Sequence, residues 1–195
     1  MKSLVRILAE KFPVGGIALH GTTLANARLI QKEGFTGGSA YVCPIGSREQ
    51  LMNIPAKEIL ERSIGSTLFA GVYARKNTVF PKLELKPDLN IPKVDENSLP
   101  AIVILLGKHK GQFSEGYDNE IGWKKTLWDN EYRSFGKKRQ AIAANNVAGF
   151  VHLTKEEYES LIVKSKGNVI KAMRLVNSSL ALKTLKAIKE LIERE

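Results

Sequence analysis

Residues 17–41 read Ile17-Ala-Leu-His20-Gly-Thr-Thr-Leu-Ala-Asn-Ala-Arg-Leu-Ile30-Gln-Lys-Glu-Gly34-Phe-Thr-Gly-Gly-Ser-Ala-Tyr41. The apolar run Ile17 to His20 predicts a short strand. Thr22 or Thr23 is placed to cap the helix that follows, because a hydroxyl there accepts from an orphan N–H of the first turn. Leu24, Ala27 and Ile30 recur at helical spacing and predict a buried stripe, and Gly34 supplies a left-handed stop. Gly37 and Gly38 turn the chain into a second strand over residues 39–44, which carries Tyr41. A histidine and a tyrosine on two strand ends joined by one helix are placed to face each other across a cleft.

Upstream, residues 3–12 fit a short amphipathic helix ended by Pro13 and Gly15-Gly16. Downstream, a helical turn over residues 47–53 leads to a longer helix from Pro55 to about Lys76. Four prolines between residues 77 and 100 (Pro81, Pro87, Pro92, Pro100) predict an extended surface excursion. Ala101 to Leu106 is continuous and branched between Pro100 and Gly107, so it predicts an interior strand buried on both faces. Residues 107–130 read as a long polar loop bearing Tyr117, Trp123 and Trp128. Further strands are expected from Glu131 to Phe135 and from Ala148 to Leu153. Thr154 opens a capping box with Glu157, and two or three helices finish the chain, the last with a stripe of Leu182, Leu185, Ile188 and Ile192. Strands and helices mix without the regular alternation of a parallel sheet, which points to an α+β fold.

The chain has 195 residues and 43% hydrophobic content, enough for one domain with a sizeable core. No apolar run approaches the roughly 20 residues a membrane span needs, and the opening Met-Lys-Ser-Leu-Val-Arg is too charged for a signal peptide. Cys43 is the only cysteine. It excludes an internal disulfide, suits a reducing, cytoplasmic setting, and reads as a small buried hydrophobe. The net charge of +10 favours an anionic partner. From Lys164 onward there are eight Lys/Arg against three Glu, so half of that excess sits in the C-terminal helices, where a solvated helix face explains it as readily as a nucleic-acid footprint.

Several chemistries lack their residues. There is no Gly-x-x-x-x-Gly-Lys-Ser/Thr loop, no Gly-x-Gly-x-x-Gly after a strand and no Gly-x-Ser-x-Gly elbow. One cysteine and three scattered histidines (His20, His109, His152) do not make a structural zinc site.

What remains is an ordered constellation. His20-Gly21-Thr22 precedes a helix ending in Glu33-Gly34-Phe35. Gly37-Gly38-Ser39-Ala40-Tyr41-Val42 follows, then Ala70-Gly71-Val72-Tyr73-Ala74, the strand at 101–106, and Glu131-Tyr132-Arg133 ahead of Val147-Ala148-Gly149-Phe150-Val151. In order and spacing this resembles the ADP-ribosyltransferases, and within them the histidine–tyrosine–glutamate branch of diphtheria-like toxins and poly-ADP-ribose polymerases. The resemblance spans residues 17–153.

The resemblance implies a single catalytic domain, with a split mixed β-sheet core over 14–154, flanking helices, and a helical extension over 155–195. It implies NAD as substrate and ADP-ribose transfer to a macromolecular acceptor. Glu131 would steady the positive charge that grows on the ribose as the nicotinamide bond breaks. Glu115 and Glu120 lie in the same region and compete for that role. His20 would hold the other ribose, the main chain of Gly21 would approach the nicotinamide amide, Tyr41 would stack on the nicotinamide ring and Tyr73 would pack beside it. Thr22 would bind a ribose or cap the helix.

The loop before the glutamate helps choose the acceptor in this family. Here it carries Lys110, Trp123 and Trp128, aromatics among lysines that suit stacking on exposed bases beside phosphates. DNA or RNA is therefore the favoured acceptor, with protein the alternative and a paired antidote protein a further expected class of partner. Two other readings stay open. One is an NAD-dependent RNA 2′-phosphotransferase, although the paired His/Arg motifs of that family are not found. The other is a non-catalytic basic nucleic-acid-binding module.

Overall fold

In the computed structural model of the protein, the described residues are 16–36, 40–46, 95–108, 112–113, 115–116, 122–125, 132–135 and 142–194. The expected elements at 3–12, 47–53 and 55–76, and the proline-rich excursion up to residue 94, lie outside them.

The first strand, β1 (Ile17–Thr23), runs three residues past His20 and leads directly into helix α1 (Leu24–Glu33). Leu24, Ala27 and Ile30 are the buried face of that helix, as their spacing predicts. The expected hydroxyl cap does not form. Thr23 occupies the capping position without a side-chain capping bond, and Thr22 lies in β1. The Leu24 N–H instead donates to the carbonyl of Leu99 at 2.8 Å, so a neighbouring segment, not a local side chain, satisfies this orphan donor. Gly34 closes the helix at φ +73°, its N–H on the Ile30 carbonyl.

The remaining strands are β2 (Tyr41–Gly46), β3 (Pro100–Leu106), β4 (Gly122–Lys125), β5 (Tyr132–Phe135) and β6 (Val147–His152). They form one sheet in the order β4-β5-β2-β1-β3-β6. The α+β class is as expected, but the sheet is not mixed: every pair of described strands is antiparallel. Strand β3 pairs along its whole length with β1, from Ile17 opposite Leu106 to Thr23 opposite Pro100, and with β6 on its other side. Its residues from Pro100 to Leu105 are all buried, so both faces of this strand are covered. Each fully buried Ile, Val or Leu here contributes about 1.5–3 kcal/mol relative to exposure, which makes β3 the spine of the fold.

Alternation along the strands sorts the side chains. Ala18, Val42, Ala101, Val103 and Leu105 join Ala27 and Ile30 of α1 in one apolar cluster, with Phe35, Val147 and Phe150 packed against it. Trp123 and Phe113 belong to the same cluster, their rings edge to face at 5.7 Å. The stretch expected as a long polar loop therefore contains strand β4. Its indole is 2% exposed, and its main chain pairs with β5, Trp123 opposite Ser134. Cys43 is buried and in no disulfide.

Two helices end the chain, α2 (Lys155–Ser165) and α3 (Val169–Arg194). The capping box forms as predicted: Thr154 Oγ1 accepts from Glu157 N at 3.2 Å, and Glu157 Oε2 accepts from Thr154 N at 2.8 Å. The two helices pack on each other, and α3 contacts β6 and β3. Its buried face is Ala172, Val176, Leu180, Ala181, Thr184 and Ile188, so of the expected stripe Ile188 is buried, Leu185 is half-buried and Leu182 is 68% exposed. Thr184 can sit inside because its hydroxyl donates to the Leu180 carbonyl one turn back, at 2.7 Å. The side chain of Ile192 lies outside the described residues. No described helix is long and apolar enough to cross a membrane.

Candidate active-site fork

The sheet divides at one place. Strands β1 and β2 pair from Ile17 opposite Gly46 to Leu19 opposite Cys43. Beyond that point the residues of β1 from His20 to Thr23 pair with β3, while Tyr41 and Val42 of β2 pair with β5. One local feature favours the parting. Ser134 of β5 holds the outgoing strand at both main-chain groups of Ala40: its Oγ accepts from Ala40 N at 2.8 Å and its own N–H donates to Ala40 O at 2.8 Å.

His20 sits in the crotch of this fork. Its Nδ1 lies 2.5 Å from the carbonyl oxygen of Tyr41. A carbonyl only accepts, so Nδ1 is the donor in this contact. Phe35 packs edge-on to the imidazole with ring centres 4.8 Å apart. Phe35 is itself held by its N–H on the Ile142 carbonyl at 2.9 Å. His20 and Tyr41 are neighbours only through the main chain of Tyr41, and their rings do not face each other across a cleft as the sequence predicts.

The Tyr41 ring takes another direction. Val42 belongs to the apolar cluster, so by alternation Tyr41 stands on the opposite face of β2. It is 37% exposed and lies opposite Arg133 of β5, whose guanidinium carbon is 5.5 Å from the ring centre. On β1, His20 pairs with Val103, a member of the cluster, and packs on Phe35, so the imidazole leaves its strand on the cluster side. The fork, rather than one continuous sheet face, is what joins the two residues.

The other expected site residues fall as follows. Gly21 is buried in β1 opposite Ile102. Thr22 is 1% exposed, and its Oγ1 accepts from Asn26 Nδ2 at 3.4 Å, so the hydroxyl is turned towards α1. Trp123, expected at an acceptor surface, is instead core: its ring packs on Phe113 and is closed to a macromolecule. Glu115 is exposed beside Gly116, whose N–H donates to Trp123 O, which puts it against β4, two strands from Tyr41. Glu131, Tyr73, Trp128, Lys110 and Glu120 lie outside the described residues. Tyr132, the residue after Glu131, pairs with Val42.

Arg133 and Ser134 carry no role that the sequence alone assigns. The alternation Tyr132, Arg133, Ser134 is the available signal, but it names no pairing partner, and their importance comes from lying beside β2. A scan against protein-family models, a search of curated proteins and a search of solved structures each return no match to this chain.

Proposed function

We propose that the chain is an NAD-dependent mono-ADP-ribosyltransferase acting on a macromolecular acceptor. The observation that carries this reading is the fork: His20 is hydrogen-bonded to the Tyr41 carbonyl where β1 and β2 part, and Tyr41 is paired with the strand that directly follows Glu131. His20 and Tyr41 meet at the fork in the order the resemblance requires, and Tyr132, the residue after Glu131, pairs with Val42 beside Tyr41. The same topology favours Glu131 over Glu115, because Tyr132 is one strand from Tyr41 whereas Glu115 lies against β4.

The chemistry follows from these side chains. His20, held through Nδ1 on the Tyr41 carbonyl, binds a ribose, the role the resemblance implies. The exposed Tyr41 ring supplies a face for the nicotinamide. As the bond between ribose C1′ and nicotinamide breaks, nicotinamide leaves with the bonding pair and positive charge develops on the ribose. A carboxylate from Glu131 lowers the energy of that charge and orients a ribose hydroxyl. A lone pair of the acceptor then forms the new bond at C1′, and the acceptor gives up its proton. Close approach at Gly21 is open to the main chain because the residue has no side chain.

The test is incubation with NAD labelled on the adenylate, offering protein, DNA and RNA in turn, with nicotinamide release and label transfer as readouts. The expected result is turnover that falls about 100-fold or more in Glu131→Ala, the size of effect that follows removal of one transition-state electrostatic partner. Absence of nicotinamide release with every acceptor, or a Glu131→Ala protein as active as the parent, refutes the assignment.

A further inference from the structure

The outer face of the β2–β5–β4 arm carries a row of three side chains in cross-strand register. Tyr41 of β2 lies opposite Arg133 of β5, and Arg133 lies opposite Lys124 of β4. All three are exposed, while the alternate residues Val42, Ser134 and Trp123 are buried on the other face. Strands are ~4.8 Å apart, so the row reaches ~10 Å from the tyrosine ring to the edge of the sheet. Arg133 is in no ion pair among the described residues, and its guanidinium lies over the Tyr41 ring. The row thus begins with an aromatic ring and continues as two cations, in a chain of net charge +10.

We propose that this row is the docking track for the acceptor, and that the acceptor is a single-stranded nucleic acid. The proposal rests on the transferase reading and specifies its substrate class. An acceptor must reach the ribose carbon that nicotinamide leaves, so it approaches beside the ring on which nicotinamide stacks, which is where the row starts. Arg133 and Lys124 take backbone phosphates, and an acceptor atom of a base reaches the ribose carbon beside Tyr41 only when that base is out of a duplex stack, which favours single strands over duplex. A protein acceptor has no regular anionic backbone to match a cross-strand row of cations. The competing structural account is that a lysine on the edge strand β4 only blocks edge-to-edge pairing. It predicts no effect of these side chains on nucleic-acid binding.

The experiment is fluorescence anisotropy of a labelled 12-residue oligothymidine with the full chain, without NAD, across a salt series. The expected result is salt-sensitive binding, weaker for a duplex of the same length. In an Arg133→Gln/Lys124→Gln protein the slope of log K against log salt becomes shallower by roughly 1.4, about 0.7 for each phosphate that is no longer neutralised. Lys171→Gln/Arg174→Gln on α3, where the other basic surface lies, leaves the slope unchanged. Circular dichroism confirms folding of each variant. If the double variant does not fold, Lys124→Gln alone is read, with an expected change of roughly 0.7.

The proposal is overturned if the native chain does not bind the oligonucleotide, if the β-strand variants keep the native slope, or if the α3 variant takes the loss instead. Displacement of the oligonucleotide by NAD also overturns it, since the two cations would then serve the phosphates of NAD. Nicotinamide release by the native chain is scored separately. Release without oligonucleotide binding removes this proposal alone, whereas binding without release removes the transferase reading.

Discussion

Replacing Gly34 with alanine is expected to loosen the fold and the fork together. Gly34 ends α1 at φ +73° and ψ −162°, a region open in practice only to glycine. Placing an L-residue there costs about 1–3 kcal/mol in backbone strain. A Cβ at this position would also stand 2.4 Å from the Ile142 carbonyl oxygen, 2.7 Å from Ala144 N and 2.9 Å from the Ala143 carbonyl carbon. All three atoms are main chain, so no side chain can rotate away. Relief requires the 142–144 segment to withdraw, which breaks the bond from Phe35 N to Ile142 O. That bond contributes about 0.5–1.5 kcal/mol net.

Together these give a loss of about 1.5–4.5 kcal/mol, a large share of the roughly 5–15 kcal/mol by which a domain is usually stable. Urea unfolding followed by circular dichroism measures it, with Gly116→Ala as the internal control. Gly116 has φ +72° but open space where an added methyl group would stand, so it should show the backbone cost alone, about 1–2 kcal/mol. If Gly34→Ala costs no more than Gly116→Ala, closeness to the 142–144 segment is not what makes glycine necessary. The loss should also reach the fork, because Phe35 is the edge-on neighbour of His20.

Further outcomes are expected elsewhere. His20→Ala should lower stability by about 1 kcal/mol, for one broken hydrogen bond, yet reduce NAD turnover at least tenfold, as compared by unfolding curves and nicotinamide release. Trp123→Ala should cost about 3–5 kcal/mol as a core deletion, and a change within about 1 kcal/mol would show that the indole is not packed in the core. At Glu157, hydrogen bonds from Lys183 and from the Thr154 main chain, with the Lys183 charge, hold the carboxyl below its ordinary 4.5. A depressed folded-state value contributes stability that is present above 4.5 and lost as pH falls through the lower, folded value. Melting temperatures between about pH 6 and 3 should therefore drop less steeply in Glu157→Gln than in the native chain, and parallel curves would contradict the linkage.

Much of the fold is legible in the chain because the relevant physics is local. The Leu24, Ala27 and Ile30 stripe, the Gly34 stop and the Thr154–Glu157 box all involve partners within one or two helical turns, so their spacing alone predicts them. The branched run at 101–106 announces an interior strand by composition. The departures have non-local causes. Trp123 reads as a loop aromatic until β5 and Phe113 are beside it. The stripe on α3 is set by which face meets the rest of the fold, and that choice buries Thr184 and exposes Leu182. Thr23 is a good capping residue by type yet makes no side-chain capping bond, and the Leu24 N–H goes to the Leu99 carbonyl, from a segment remote in sequence.

The candidate site divides in the same way. Residues 17–41, read alone, supply the histidine, the helix that spaces it from the tyrosine, and the glycine that ends that helix, because each depends on side-chain type and short-range geometry. Tertiary structure decided that β1 and β2 pair for only part of their length, that His20 reaches the Tyr41 carbonyl at the parting, and that Arg133 comes to lie over the tyrosine ring. Strand pairing joins groups nearly a hundred residues apart, and its register follows from hydrogen bonds such as those of Ser134 to Ala40 that no short window of sequence contains.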